Sequence, residues 1–337
     1  MPSILRKQSD FPDAIRLQLA LYGLFKAGQQ NSANADEIRG EMEHYWWRLT
    51  ESEQSLLEGL AADLRTVGIE WSKPRTEPTQ EILHQFKDAI EASDWDTVLE
   101  LTREHEHLLQ PSQVAEIRGV SWMHLGFPQV ALLFFEDRIR FGPRKALDEV
   151  WFMTSQIASG KAHDAVPRAL EIARMNSDPL LMMSAAHVLS FAADAVTQQD
   201  SERFRRQAIE VANLSLKMLS DLKFEGLDAS SRYLLENERM ATLLRLAYDL
   251  AQVGELSESR GICETILGID PTQKNARILL AWLLRDENQQ RAQEMFFTGF
   301  TGWLSSIEVD RMLPFSYRSR LDWSSVISNR EGMDLFT

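Results

Sequence analysis

The chain has 337 residues, of which 44% are hydrophobic and 26% are charged, and its formal net charge is −14. This is the composition of a folded globular protein, and the acidic excess disfavours nucleic acids and anionic membranes as main partners, since both attract basic surfaces. The longest apolar runs, VALLFF at 130–135 and ILLAWLL at 278–284, are far shorter than the roughly 20 residues of a membrane span. With a single cysteine, Cys263, and no recognisable secretion signal, the chain is expected to be cytoplasmic.

The N-terminal region is predicted to be helical. Leu, Ala, Glu, Gln and Arg outnumber the strand-favouring Val, Ile and Thr, and no useful length of the chain alternates with a period of two, which predicts an all-α fold. Residues 11–66 are expected to form about three helices, one of which begins with a capping box of Thr50 and Glu53. Residues 1–75 are therefore assigned to an N-terminal helical cap region.

Three aromatic residues, Tyr45, Trp46 and Trp47, stand together in this region. We expect one or two of them to pack on the first helices that follow, because large aromatic side chains contribute much of the apolar area that a core buries. The alternative is an exposed aromatic docking point.

A longer-range pattern appears in the middle of the chain. The segments HLGFPQVALLFFEDRIRFGP and QVGELSESRGICETILGIDP both place a Pro 17 residues after a Gly, as Gly126 with Pro143 and Gly254 with Pro271. A step of 34 residues leads from Gly126 to Gly160 and from the apolar positions 246, 247 and 250 to 280, 281 and 284. A fixed period of this length is typical of a solenoid built from helix pairs.

This pattern resembles the tetratricopeptide repeat family, whose unit of about 34 residues forms two antiparallel helices. The resemblance covers roughly residues 79–300 and is strongest over 112–177 and 240–285, where small residues such as Ala247 and Ala281 occupy the positions of close helix contact. It implies an all-α, right-handed helical solenoid of antiparallel helix pairs with helical caps at both ends.

The predicted array occupies residues 76–300 and is interrupted. The turn expected near residue 228 is found only at Gly254, an excess of 26 residues that lies within 197–239. We predict a helical insertion there, with a helix of about 20 residues from Ser201 and a loop around 225–231; a longer second helix or an additional helix would both explain it. Residues 301–337 are assigned to C-terminal capping helices and a tail.

Candidate catalytic or metal-binding residues are few. The EHEH stretch at 104–107 places His105 and His107 two apart, so on a helix they point away from each other, and a solvated surface explains them better than a metal site. His187 and Cys263 fall at packing positions, which favours a core histidine and a structural thiol. No clustered Gly loop or activated-nucleophile context is present. We therefore predict no catalytic, metal or cofactor site.

The resemblance also implies a concave groove lined by the first helix of each pair. The predicted peptide-binding positions are Met123, Phe191, Leu244, Tyr248, Asn275, Ile278 and Trp282, together with Gln113, Glu116, Val120, Thr154 and Ile157. Tyr248 and Trp282 are one period apart, so they are expected to be neighbours, either on the groove wall or in the packing between repeats. The Lys/Asn clamp of the family's chaperone-binding members is not reproduced, because only Asn275 fits its positions and the lysines are missing.

Together these features predict a soluble protein-interaction scaffold that binds a neutral to basic protein or peptide segment in the groove. One alternative is a peptide- or ligand-responsive regulator that uses the array as its sensor. Another is an enzyme whose site is assembled from dispersed residues, although no catalytic motif supports it. Partner identity and oligomeric state do not follow from the sequence.

Overall fold

The structure, a computed structural model, describes residues 10–69, 78–141, 146–175, 178–221, 228–285 and 287–298. Within these ranges it contains fifteen α-helices and no strand. The helices are α1 Phe11–Lys26, α2 Ala33–Trp46, α3 Glu51–Leu64, α4 Gln80–Glu91, α5 Trp95–Glu104, α6 Pro111–His124, α7 Pro128–Phe141, α8 Ala146–Ala158, α9 Ala162–Met175, α10 Pro179–Ala195, α11 Gln198–Asp221, α12 Ala229–Gln252, α13 Leu256–Ile269, α14 Lys274–Leu284 and α15 Gln289–Thr298.

Local chemistry explains where many of these helices begin and end. The predicted capping box at α3 is present: the Glu53 backbone N–H donates to Thr50 Oγ1 at 3.3 Å, and the Thr50 N–H donates to Glu53 Oε2 at 2.9 Å. The predicted turns at Gly126, Gly160 and Gly254 are confirmed, with φ values of 87°, 81° and 88°. This left-handed backbone ends one helix so that the next can fold back on it, and only glycine adopts it without a steric penalty.

The protein is therefore an all-α repeat fold of tetratricopeptide-like antiparallel helix pairs over the part of the chain that the structure describes. Helices joined by short turns pack on one another in sequence, for example α6 with α7 and α13 with α14. The chain divides into two compact units, Met1–Ser159 and Gly160–Thr337.

In the first unit, the N-terminal helices share one core with the following repeats. Phe11 of α1 and Leu60 of α3 belong to the same buried cluster as Trp122 of α6 and Phe135 of α7. Tyr45 and Trp46 are partly buried against this cluster, as predicted, whereas Trp47 is 77% exposed. The first three helices are thus part of a continuous packed structure and not a separate headpiece.

In the second unit, the main core is built from α12 to α15. Ala247 and Ala281 are fully buried in it, which agrees with their predicted place on the packing faces of the helices. Because a small side chain lets two helices approach closely, the larger Ile266 and Leu280 can fill the space on either side.

The predicted insertion is absorbed by helix length. Helices α11 and α12 have 24 residues each, and between Gln198 and Gln252 the described residues contain no additional helix. Helix α11 begins three residues before Ser201, and α12 begins at Ala229, inside the segment that we expected to be a loop. The predicted C-terminal capping helices of 301–337 lie outside the described residues.

Candidate functional site

Several of the predicted groove residues lie in the core of the second unit. Tyr248 is fully buried and Trp282 is 9% exposed, in the same cluster as the buried Leu244 and Ile278. These four side chains present little or no surface to a partner in this conformation. Met123, Phe191 and Asn275 are half-buried. Whether a partner contacts any of the seven stays a prediction.

Tyr248 is enclosed by cations. The Arg205 and Arg245 guanidinium groups lie 5.3 Å and 4.9 Å from its ring centroid, close enough for cation–π attraction. Burial raises the pKa of the Tyr248 hydroxyl well above its usual range. The ring therefore belongs to the packing around a group of charged side chains that the sequence analysis did not single out.

This buried charge cluster consists of Ser190 and Asp194 on α10, Arg205 on α11, and Arg245 and Asp249 on α12. Arg205 Nη1 donates to Asp249 Oδ1 at 2.6 Å and its Nη2 donates to Asp194 Oδ1 at 2.7 Å. Arg245 Nη2 donates to Asp194 Oδ2 at 2.5 Å, its Nε contacts Ser190 Oγ, and Ser190 Oγ donates to Asp249 Oδ1 at 2.6 Å. The cluster thus joins three helices through two arginines and two carboxylates.

Burial sets the electrostatics of the cluster. It raises the pKa of the Asp249 carboxyl, against the opposing effect of Arg245 and Arg205. For Arg205 the carboxylates of Asp249 and Asp194 outweigh burial, so the pKa of the guanidinium is raised and it stays charged. Charged groups removed from water are tolerated only when paired in this way. The sequence carried no signal of this cluster, because Arg245 and Asp249 are four residues apart and look like a solvent-exposed helix pair.

A different arrangement occurs in the first unit, where a cleft of about 300 Å³ opens between α4 and α6. The residues that line this α4–α6 cleft are Ile90 of α4, Trp95 and Val98 of α5, and Gln113, Glu116, Ile117, Val120 and Ser121 of α6. Five of these eight side chains are apolar, and Ile90 is 45% exposed. A concave, mostly apolar surface with a few polar groups is the usual form of a binding site.

The structure brings together three of the predicted groove positions in this cleft, Gln113, Glu116 and Val120. The contributions of α4 and α5 to this cleft, notably Ile90 and Trp95, were not predicted from the sequence. A signal for Ile90 was available: it lies outside the stripe of Phe86 and Ala89 that α4 buries, as does the exposed Leu83 seven residues earlier.

Trp95 is held in place by ring stacking. Its ring lies parallel to that of His124, with centroids 4.1 Å apart and an interplanar angle of 3°. Partial burial lowers the pKa of His124 below its ordinary value, so the imidazole is neutral at physiological pH. The stack fixes one apolar wall of the cleft. A side chain that is already fixed loses less conformational entropy when a ligand binds.

Glu116 is the one charged side chain among the cleft-lining residues. Its Oε2 accepts from Arg138 Nε at 3.3 Å, and Arg138 Nη2 also lies 2.9 Å from Asp148 Oδ2. Arg138 is buried, whereas 37% of the Glu116 side chain is exposed. One guanidinium charge is therefore shared by two carboxylates, and the exposed carboxylate retains negative character at the cleft.

A second cavity, of about 450 Å³, occurs in the second unit. It is lined by the start of α11 and the end of α12, with Gln198, Ser201, Glu202, Arg205, Gln252 and Val253. This lining is mostly polar, and Arg205 connects it to the buried charge cluster.

The remaining candidates gain no chemistry from the fold. The EHEH stretch spans the end of α5 and a short 3₁₀ turn, and the described residues contain no group of three or more His, Cys, Asp or Glu that could hold a metal ion. Cys263 is fully buried, and burial raises the pKa of its thiol to about 12, as expected of a structural cysteine. None of the helices in the described ranges combines the length and apolar character needed to cross a membrane.

Comparisons with known proteins give a likeness at the level of structure. No protein-family model matches the chain, and no curated protein matches it. Among solved structures, the crystal structure of the P58(IPK) TPR domain matches with 14% sequence identity and a TM-score of 0.30, covering 90% of this chain and 78% of that one.

Proposed function

We propose that this protein is an interaction scaffold that binds a peptide segment of a partner protein in the α4–α6 cleft. The observation that carries the proposal is the apolar, concave lining of the cleft together with the 45% exposure of Ile90. An exposed isoleucine beside a pre-formed cleft leaves apolar area in contact with water, and covering that area is favourable by about 25 cal/mol per Å². Met123 is half-buried one turn beyond Val120 on α6.

The size and charge of the site support a short segment as the ligand. A cavity of about 300 Å³ is at the lower limit of ligand pockets, so it suits a few side chains of a peptide. The net charge of −14 favours a neutral or basic segment, since complementary fields speed association and repel acidic competitors. The single cysteine suits a reducing compartment, which supports a cytoplasmic location.

The proposal is tested by selecting peptides from a random displayed library on the immobilised full chain and measuring their affinities by fluorescence anisotropy. Ile90→Asp is expected to weaken binding at least about tenfold, because it places a charge on the apolar wall. Leu256→Asp is the matched control: Leu256 is 42% exposed, lies on α13 of the other unit and acquires the same charge.

Leu256→Asp should bind the selected peptides as the unchanged chain does. The cleft is excluded as the binding site if no peptide is enriched, or if Ile90→Asp and Leu256→Asp bind equally well. Circular dichroism of both variants separates a loss of binding from a loss of fold.

The polar cavity of the second unit favours a second candidate, a regulator that responds to a small polar ligand. Its volume of about 450 Å³ is in the range of ligand pockets, and its lining mixes amide, hydroxyl and charged groups. A ligand of this cavity would raise the thermal midpoint of the chain without competing with peptides bound in the α4–α6 cleft. That behaviour distinguishes the two candidates.

A further inference from the structure

We infer that Glu116 forms a cation subsite in the α4–α6 cleft, so that the cleft selects a segment with a Lys or Arg close to a large apolar side chain. This inference rests on the proposed function, because it names the chemistry of the segment that the same cleft would bind. It assigns the selectivity to one residue and predicts the spacing of the two recognised side chains.

The contacts of Glu116 support the subsite. Arg138 Nε lies 3.3 Å from Glu116 Oε2, whereas Arg138 Nη2 lies at the shorter distance of 2.9 Å from the buried Asp148, and no other cation in the described part of the chain forms an ion pair with Glu116. Because 37% of the Glu116 side chain is exposed and Glu116 lines the cleft, its carboxylate is accessible to a cation of the ligand.

The fixed position of Glu116 adds to its suitability. The buried Arg138 guanidinium restrains one carboxylate oxygen, so less side-chain entropy is lost when a cation binds than for a freely rotating glutamate. A charged hydrogen bond in a partly enclosed cleft is also stronger than an exposed surface pair.

The neighbours of Glu116 on α6 determine the spacing of the recognised segment. Ile117 and Val120 follow it by one and four residues, and Val120 therefore lies about 6 Å further along the helix axis. Residues i and i+2 of an extended peptide are separated by about 7 Å, and residues i and i+4 of a helical peptide by about 6 Å. We therefore expect a basic residue two positions from an apolar one in extended ligands, or three to four positions away in helical ligands.

The test uses peptides selected on the unchanged full chain. Enrichment of Lys or Arg at these spacings is expected. One selected peptide is then synthesised in two forms, with Lys or with Gln at the basic position. Each form is titrated against three proteins: the unchanged chain, Glu116→Gln and Glu58→Gln. The unchanged chain should prefer the Lys peptide by about three- to tenfold, a ratio that corresponds to a partly exposed ion pair.

Glu116→Gln should bind the two peptides equally, because its amide keeps an acceptor for Arg138 but lacks the charge. Glu58 is exposed on α3, outside the cleft, so Glu58→Gln makes the same change in net charge and should retain the preference. A preference that persists in Glu116→Gln overturns the subsite, as does selection of acidic peptides.

Carbodiimide coupling provides a measurement on the unchanged chain, and so does not depend on the folding of Glu116→Gln. It joins a peptide Lys amine to a contacting carboxylate as an amide with loss of water, and mass spectrometry locates the bond. We expect the bond at Glu116; bonds only at other carboxylates contradict the inference. Apolar peptides that bind at Ile90 without any basic preference would leave the proposed function intact and remove only the subsite, whereas no selected peptides at all would remove the proposed function.

Discussion

At the scale of single residues, the position of an aromatic side chain in a repeat does not decide its role. Tyr248 and Trp282 are one period apart and could have lined a groove, yet both lie in the core of the second unit. The Arg285 guanidinium lies 3.8 Å from the centroid of the Trp282 ring and covers it on one side. Their burial indicates that these side chains contribute to stability.

Trp282→Ala is therefore expected to lower the free energy of unfolding by about 3–5 kcal/mol, since it removes a large buried side chain and leaves a cavity. Trp47→Ala is the control, because Trp47 is 77% exposed and its removal should change stability by less than about 0.5 kcal/mol. Urea denaturation followed by circular dichroism measures both. Equal effects of the two substitutions would show that Trp282 is not part of a folded core.

His187 illustrates how burial makes stability depend on pH. Its Nε2 lies 3.2 Å from Thr242 Oγ1, so this histidine, which was predicted to occupy a packing position, links α10 to α12. Burial lowers the pKa of His187 to about 4, and Arg245 acts in the same direction. The unfolded chain, with an ordinary histidine pKa of about 6.5, then binds a proton more readily than the folded chain.

The stability that depends on neutral His187 is therefore complete above about pH 6.5 and is lost as the pH falls towards 4. His187→Gln cannot be protonated and can still bond to Thr242, so the difference in urea midpoint between pH 7 and pH 5 should be smaller than in the unchanged chain. Burial raises the pKa of Asp63 to about 6, so this carboxyl changes stability in the opposite direction between pH 7 and pH 5. Asp63 is present in both the unchanged chain and His187→Gln, and its effect therefore cancels in the comparison. An unchanged pH difference would contradict the assignment.

At the scale of elements, the long pair α11 and α12 depends on the buried charge cluster. Both helices have 24 residues and are longer than the helices of the usual repeat. Arg205 of α11 donates to Asp249 of α12 at 2.6 Å and to Asp194 of α10 at 2.7 Å, so these hydrogen bonds join the three helices. A paired charge contributes little net stability compared with an apolar core, but removal of one partner leaves a buried charge without compensation.

Arg205→Met is accordingly expected to cost about 3–5 kcal/mol of unfolding free energy, because it leaves two carboxylates, Asp194 and Asp249, to share the one cation Arg245 of the cluster. The adjacent Arg206 pairs with Glu202 at 2.9 Å on the surface, so Arg206→Met should cost less than about 1 kcal/mol. Chemical denaturation of the two variants makes the comparison. Arg205→Met with the stability of Arg206→Met would mean that the cluster does not hold the three helices together.

At the scale of the whole molecule, the two compact units carry different features. The first unit holds the α4–α6 cleft, in which one carboxylate is exposed beside apolar side chains. The second holds the buried charge cluster, in which Arg205, Arg245 and Asp249 are buried and Asp194 is partly buried. The net charge of −14 is complementary to a basic partner, and we propose the cleft as the place where such a partner binds.

The helical class and the positions of the turns could be predicted from the sequence. Gly126, Gly160 and Gly254 end helices through their own backbone freedom, and the Thr50 capping box begins one, so these features depend on a few adjacent residues. The 34-residue spacing also correctly placed Ala247 and Ala281 in the core, because a repeated local unit presents the same face each time.

Which faces stay open became clear only from the folded chain. Tyr248 is enclosed because Arg205 of α11 and Arg245 of α12 lie over its ring, and Ile90 is exposed because α4 and α6 leave a cleft between them. Exposure depends on residues that are distant in sequence, so the local pattern around Tyr248 and Trp282 could not distinguish a groove wall from a core. The same reason explains why Arg245 and Asp249, which are spaced like a surface ion pair, were recognised as a buried one only after folding brought their partners together.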